Sequence, residues 1–278
     1  MQKNILYKAL ANPLAMAGFI IIVIMFLLAM FAPIIAPYDP DAFDVKSILL
    51  SPSWEHWMGT DGLGRDVFSR MLYGGRISLL VGIVAVGIST AIGIVLGALA
   101  GFYRGWIDTV IMRAVDIMLS IPSFFLILAV IAFLTPSIYN VMIVIGLTSW
   151  MGVTRLVRAE FLSLGNREFI LASRTLGAKD FRLIFVHLLP NSLTPIIVSA
   201  VLGVAGAVLL ESGLSFLGLG VQAPQASWGN ILTDGKDYIQ FAWWLSLYPG
   251  MAILLTVLGY NLLGEGLRDA LDPRSQSS

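Results

Sequence analysis

The chain has 278 residues, of which 58% are hydrophobic and 12% charged, with equal numbers of acidic and basic side chains. Soluble domains carry about a quarter charged residues, so a chain this apolar cannot cover a water-facing surface and takes the bilayer as its main solvent. The balanced charge gives no basis for a nucleic-acid partner, which needs a basic surface. With no cysteine there is neither a disulfide nor a thiolate metal site.

Lys3 and Lys8 precede an apolar run that continues to Tyr38 without a charge. A secretory core is only about 7–15 residues, so the run is expected to be a retained first span. A span needs about 20 apolar residues, and the first is placed at 14–35, with Pro33 and Pro37 at its exit. A polar, turn-rich stretch follows to residue 75 and holds Trp54 and Trp57, residues suited to a membrane interface. The second span is expected at 77–102, where repeated glycines permit close helix packing. The third covers 107–134 and is kinked by Pro122. Asp108, Arg113 and Asp116 lie at its start, and Arg113 and Asp116 have the spacing of a local ion pair. The fourth covers 138–157, and a polar segment runs from 158 to 187. The fifth is 191–210, then a mixed loop 211–241, then the sixth at 244–263. Phe241, Trp243, Trp244 and Tyr248 read as an interfacial belt.

Lysine and arginine placement sets the orientation. With the N-terminus in the cytoplasm, 12 of the 17 basic residues fall inside and 5 outside. This puts both termini in the cytoplasm and makes the number of spans even. The chain is expected to be all-α, a polytopic protein of about six transmembrane helices. Residues 1–75 form a first span with an external polar loop, and 76–278 a five-helix core.

Enzyme motifs are missing: there is no phosphate-binding Gly-x-x-x-x-Gly-Lys-Ser/Thr loop, no His-Glu-x-x-His and no Gly-x-Ser-x-Gly. The chain therefore does not cradle ATP by itself. His56 and His187 are far apart and make a weak metal pair. The middles of the expected spans carry no Asp, Glu, Lys or Arg, which counts against a proton- or ion-coupled carrier and a voltage sensor.

The segment EFILASRTLGAKDFRLIFVHLLPN, residues 168–191, is the most informative. One helix is expected to end at Gly177, a position able to take positive φ, with a second short helix from Lys179 to His187. By its residues alone this is either a solvated amphipathic connector or an element that docks into a soluble partner. The segment resembles the cytoplasmic loop of ABC-importer permeases, with the pattern Glu-Ala-Ala, three residues, Gly, nine residues, Ile-x-Leu-Pro. Aligned on Gly177, the alanines fall on Ala172 and Ser173, Leu-Pro on Leu189 and Pro190, the family's Glu on Leu171 and its Ile on His187. Two further stretches resemble the C-type subunits of dipeptide, oligopeptide and nickel importers: GTDGLGRDVFSRMLYGGRISLLVG at 59–82 and ESGLSFLGLGVQAPQASWGNIL at 211–232. NPLAMAGFIII and APYDP near the N-terminus fit as well.

The resemblance implies a type I ABC-importer permease in the cytoplasmic membrane of a prokaryote. It would pair with a second permease chain, two ATP-binding subunits and an extracytoplasmic binding protein, the ATP and Mg being held by the ATPases. Di- or oligopeptides are the implied cargo, with nickel or a glutathione-like solute as alternatives on the same machinery. Leu171, Ala172, Ser173, Gly177, Ala178, Leu189 and Pro190 become the ATPase-coupling loop, within coupling helices at 166–188. Asp61, Arg65, Asp66 and Glu211 are candidates for an outer gate or translocation path; by their residues Asp61 and Asp66 are equally a capped helix start and Glu211 a wet helix end. A stand-alone channel or carrier, and a scaffold binding anionic lipid, are the readings from other classes.

Overall fold

The computed structural model describes residues 12–271. Lys3, Lys8 and Arg274, used in the charge count, lie outside them. Every regular element among the described residues is helical. Helix α1 is Pro13–Met30. Asn12 caps it by accepting the Leu14 amide at 2.9 Å, and Pro13 sits where its missing N–H costs nothing. Pro33 cannot donate back to Ala29, so the expected first span breaks at Phe31 and resumes as one turn, Ala32–Ile35.

Helix α2, Val67–Tyr103, has 37 residues and is about 55 Å long. It starts ten residues before the expected span because Asp66 is an N-cap, accepting the Ser69 amide at 2.8 Å. Its first turns extend beyond the roughly 30 Å hydrocarbon layer. We term the end bearing Arg104 inner, because the basic residues are more numerous on that side, and the end bearing Asp66 outer.

The third span is two helices, α3 (Gly105–Ser120) and α4 (Ser123–Ile131), bent by 84° at the break. Pro122 forces Ile121 into an extended conformation, φ −98° and ψ 125°, so the expected kink is a full corner. The fourth is also interrupted. Helix α5 (Ile138–Leu147) ends at Thr148, whose hydroxyl donates to the Val144 carbonyl at 2.6 Å, and α6 (Trp150–Leu164) begins beyond Ser149. Helix α7 is Glu168–Thr175, and α8 is Leu189–Phe216, six residues longer at its outer end than expected. The outer loop contains α9, Trp228–Lys236, and α10 is Trp244–Leu271. Among the described residues five helical segments are long and apolar enough to cross a membrane, and the bent pair is the sixth candidate.

Helix α2 is the centre of the bundle and packs on α1, α5, α6 and α8, while α1 lies along α10. The glycines of α2 allow this closeness. A Cβ at Gly97 would come within 2.6 Å of the Thr154 carbonyl on α6. Two apolar cores result: a large one through the bundle, including Val81, Ile145, Val208 and Leu245, and a smaller inner one of Val157, Phe161, Ile170, Leu183 and Leu188.

The belt expected around Trp244 is only partly there. Phe241 and Trp243 are exposed, whereas Trp244 is buried and its indole N–H donates to the Thr60 carbonyl at 3.1 Å.

Candidate functional site

At the inner end, α7 stops in a Schellman turn. The Gly177 amide donates to Arg174 at 3.0 Å and the Ala178 amide to Ser173 at 3.1 Å, with Gly177 at φ +82°. A Cβ on Gly177 would meet nothing within 4 Å, so its conformation, not space, calls for glycine there. The chain turns back through Asp180–Arg182 into a π-helical stretch, Leu183–Leu188. Pro190 explains that stretch: it has no N–H for the Val186 carbonyl, and wide turns of this kind recur at functional places. Asn191 Nδ2 satisfies the His187 carbonyl at 2.6 Å.

The two arms hold each other. Ile170, Leu183 and Leu188 share the inner core with α6, and Ser173 Oγ lies 3.1 Å from His187 Nε2. Leu189 and Ala178 are half-buried, whereas Leu171, Ala172, Gly177 and Pro190 face outward. Leu176 is 88% and Phe181 71% exposed, and the Phe181 and Phe185 rings stack at 4.5 Å. Leu171, Leu176, Phe181 and Phe185 are thus exposed apolar side chains on the segment that joins α6 to α8. In the sequence only the i, i+4 spacing of Phe181 and Phe185 announces this aromatic pair.

The same end carries two ion pairs from α3 to α6. Asp108 meets Arg158 through two bonds, 2.5 and 2.6 Å, and Asp116 meets Arg155 at 2.5 Å. Asp116 therefore reaches across to α6 instead of pairing with Arg113 on its own helix. The corner at Pro122 turns α3 so that its acids face α6.

At the outer end, Asp61, Arg65 and Asp66 come together. Asp61 Oδ1 accepts the Leu63 and Arg65 amides at 2.9 Å, and its Oδ2 accepts Arg65 Nε at 2.6 Å. Arg70 Nε stands 3.5 Å from the same oxygen. Arg65 also donates to Asp234 of α9 at 3.0 Å. Burial raises the Asp234 carboxyl above its ordinary range, against the pull of Arg70 and Arg65. Asp66 accepts Ser69 and meets His56 Nδ1 at 2.9 Å. This knot fastens the external loop to α2 and α9.

Glu211 is not part of the knot and is not a wet helix end. It lies within α8, fully buried. Ser215 Oγ donates to it at 2.7 Å and Ser78 Oγ at 3.1 Å. Ser78 in turn accepts the Trp228 amide at 3.2 Å and Ser215 the Val221 amide. Serine hydroxyls from α2 and α8 take the place of water and tie Glu211 beneath the outer loop.

Comparison with known proteins follows the same lines. Residues 93–277 match the family described as binding-protein-dependent transport system inner membrane component, and residues 3–52 the N-terminal TM domain of oligopeptide transport permease C. The dipeptide transport system permease protein DppC of Alkalihalophilus pseudofirmus is 48% identical over 96% of this chain and 88% of its own. The oligopeptide transport system permease protein OppC of Bacillus subtilis is 40% identical over 98% of this chain and 89% of its own. Among solved structures, an inward-facing MetNI methionine ABC transporter aligns with a TM-score of 0.59, covering 74% of this chain and 98% of that one at 20% identity. That likeness is one of fold.

Proposed function

Because the chain belongs to the family of binding-protein-dependent transport system inner membrane components, we propose that it is one of two membrane subunits of an importer of di- and oligopeptides. An external binding protein delivers the peptide to a path between this chain and a second permease chain. Two ATPase subunits on the inner side bind ATP with Mg and drive the cycle. The chain sits in the cytoplasmic membrane with both termini inside, and it makes and breaks no covalent bond.

The observation that carries this reading is the inner helix–turn–helix. Leu171, Leu176 and Phe181 are exposed on it, while its root is continuous, through the π-helical stretch and Pro190, with α8. A push on the second arm, from Asp180 on, reaches the fifth span without an intervening loop, and α7 bears on that arm through the inner core they share. Where the family's pattern has a glutamate, Leu171 stands 48% exposed, so contact at that position is apolar and not a salt bridge. The peptide cargo rests on the relatives' names and on the likeness over nearly the whole chain.

The test is deletion of residues 172–177 in the reconstituted transporter. The variant should insert and still assemble with the second permease, while ATP hydrolysis no longer drives uptake. Uptake at the normal rate would remove the lever from the account.

A further inference from the structure

A cavity of about 320 Å³ opens at the outer end, between the first turns of α2 and the loop before α9. Pockets for small ligands begin near about 300 Å³. Arg76, Tyr73, Asp41 and Gln225 line it, with Ile77 and Leu80 as an apolar floor. Arg76 is exposed, with the Tyr73 ring 5.9 Å from its guanidinium. No carboxylate among the described residues pairs with it. Asp41 is bound only loosely, with Oδ1 3.7 Å from Arg70, and its side chain is 46% exposed. The loop is held in shape from below, because Asn230 Nδ2 donates to the Gln225 carbonyl at 2.6 Å. The cavity lies above the bilayer interior: Arg76 is within about 14 Å of the outer end of a helix about 55 Å long, against about 30 Å of hydrocarbon.

The lining thus offers an unpaired guanidinium, an accessible carboxylate, a side-chain amide and two aliphatic side chains. We propose that this cavity is a peptide-receiving site, in which Arg76 takes the terminal carboxylate and Asp41 the terminal ammonium of a short peptide with both ends free. Guanidinium and carboxylate match as a two-bond fork. An extended dipeptide reaches about 7 Å between its ends, a length that a cavity of about 320 Å³ has room for. Gln225 pairs with the central amide, and the side chains rest on Ile77 and Leu80 without selection. The site rests on the peptide reading above and adds to it a recognition of ends, independent of the binding protein.

The test is isothermal titration of dialanine into the complete permease–ATPase complex in nanodiscs, without binding protein. The wild type should bind dialanine about tenfold tighter than either dialanine amide or N-acetyl-dialanine. R76Q should lose about tenfold for dialanine and no longer distinguish it from its amide, while R76K keeps the distinction. D41N should no longer distinguish dialanine from the N-acetyl form. Equal affinities in the wild type, absence of binding, or unchanged discrimination in R76Q would each overturn the site. Binding that appears only when phosphatidylcholine replaces phosphatidylethanolamine would assign the cavity to a lipid headgroup and overturn it too. ATP-driven dialanine uptake with the binding protein, measured in parallel, separates the two levels: uptake without cavity binding removes the site alone, and no uptake removes the peptide reading with it.

Discussion

Asp61 neutralises two buried guanidiniums at once, Arg65 at 2.6 Å and Arg70 at 3.5 Å. A buried charge left without any partner costs about 3–5 kcal/mol; Asp234 still faces both guanidiniums, at 3.0 and 3.8 Å, so Asp61→Asn should lower the thermal midpoint of the detergent-solubilised protein by the equivalent of a part of that amount. A shift no larger than that of Asp41→Asn, at an exposed carboxylate, would contradict it. Gly177→Ala adds a side chain into open space but forces φ +82° on a residue with a Cβ. It should destabilise the turn by about 1 kcal/mol, read as faster amide exchange at Gly177 and Ala178 alone. These positions differ in how far the sequence revealed them. The Gly177 turn and the Asp66 cap are local, set by residues within four positions, and were legible. The surroundings of Glu211 were not, because Ser78 lies 133 positions away and no local pattern brings it there. The same holds for Arg70 against Asp234.

At the scale of the element, the breaks in the spans were legible only where proline made them. Pro122 announced an interruption between α3 and α4, though not its 84° corner. The gap between α5 and α6 has no proline or glycine at Thr148–Ser149, and nothing in the sequence marks it. The corner leaves α3 with a single buried residue, Val115, so its placement depends on the ion pairs to α6. Those pairs are unequal. Asp108 and Arg158 are largely shielded, at 18% and 31% exposure, and share two bonds, whereas Asp116 and Arg155 are about half exposed. Asp108→Asn should cost about 1.5–3 kcal/mol and Asp116→Asn less than about 1 kcal/mol, compared by thermal melting of the two variants. The reverse order would mean that α3 is held by something other than Asp108.

Across the whole molecule, the polar side chains collect at two ends of one apolar bundle. The knot of Asp61, Arg65 and Asp234 marks one end, and the pairs of Asp108 and Asp116 mark the other. Fold class was the most legible property, since an apolar chain with charges confined to span ends has few alternatives to a helical membrane bundle. The absence of native cysteine makes orientation directly measurable. A cysteine at Trp54, 96% exposed, should react with an impermeant maleimide in intact cells, and one at Leu176 only after permeabilisation. Energy supply is the larger question, because among the described residues Glu211 is the one carboxylate buried within a spanning helix, and serine hydroxyls hold it. The most direct measurement is uptake of a labelled dipeptide into proteoliposomes, first with this chain alone and then with the second permease, the ATPases and the binding protein. Uptake is expected only in the complete system and only with ATP, and uptake by this chain alone without ATP would contradict the dependence on ATPase partners.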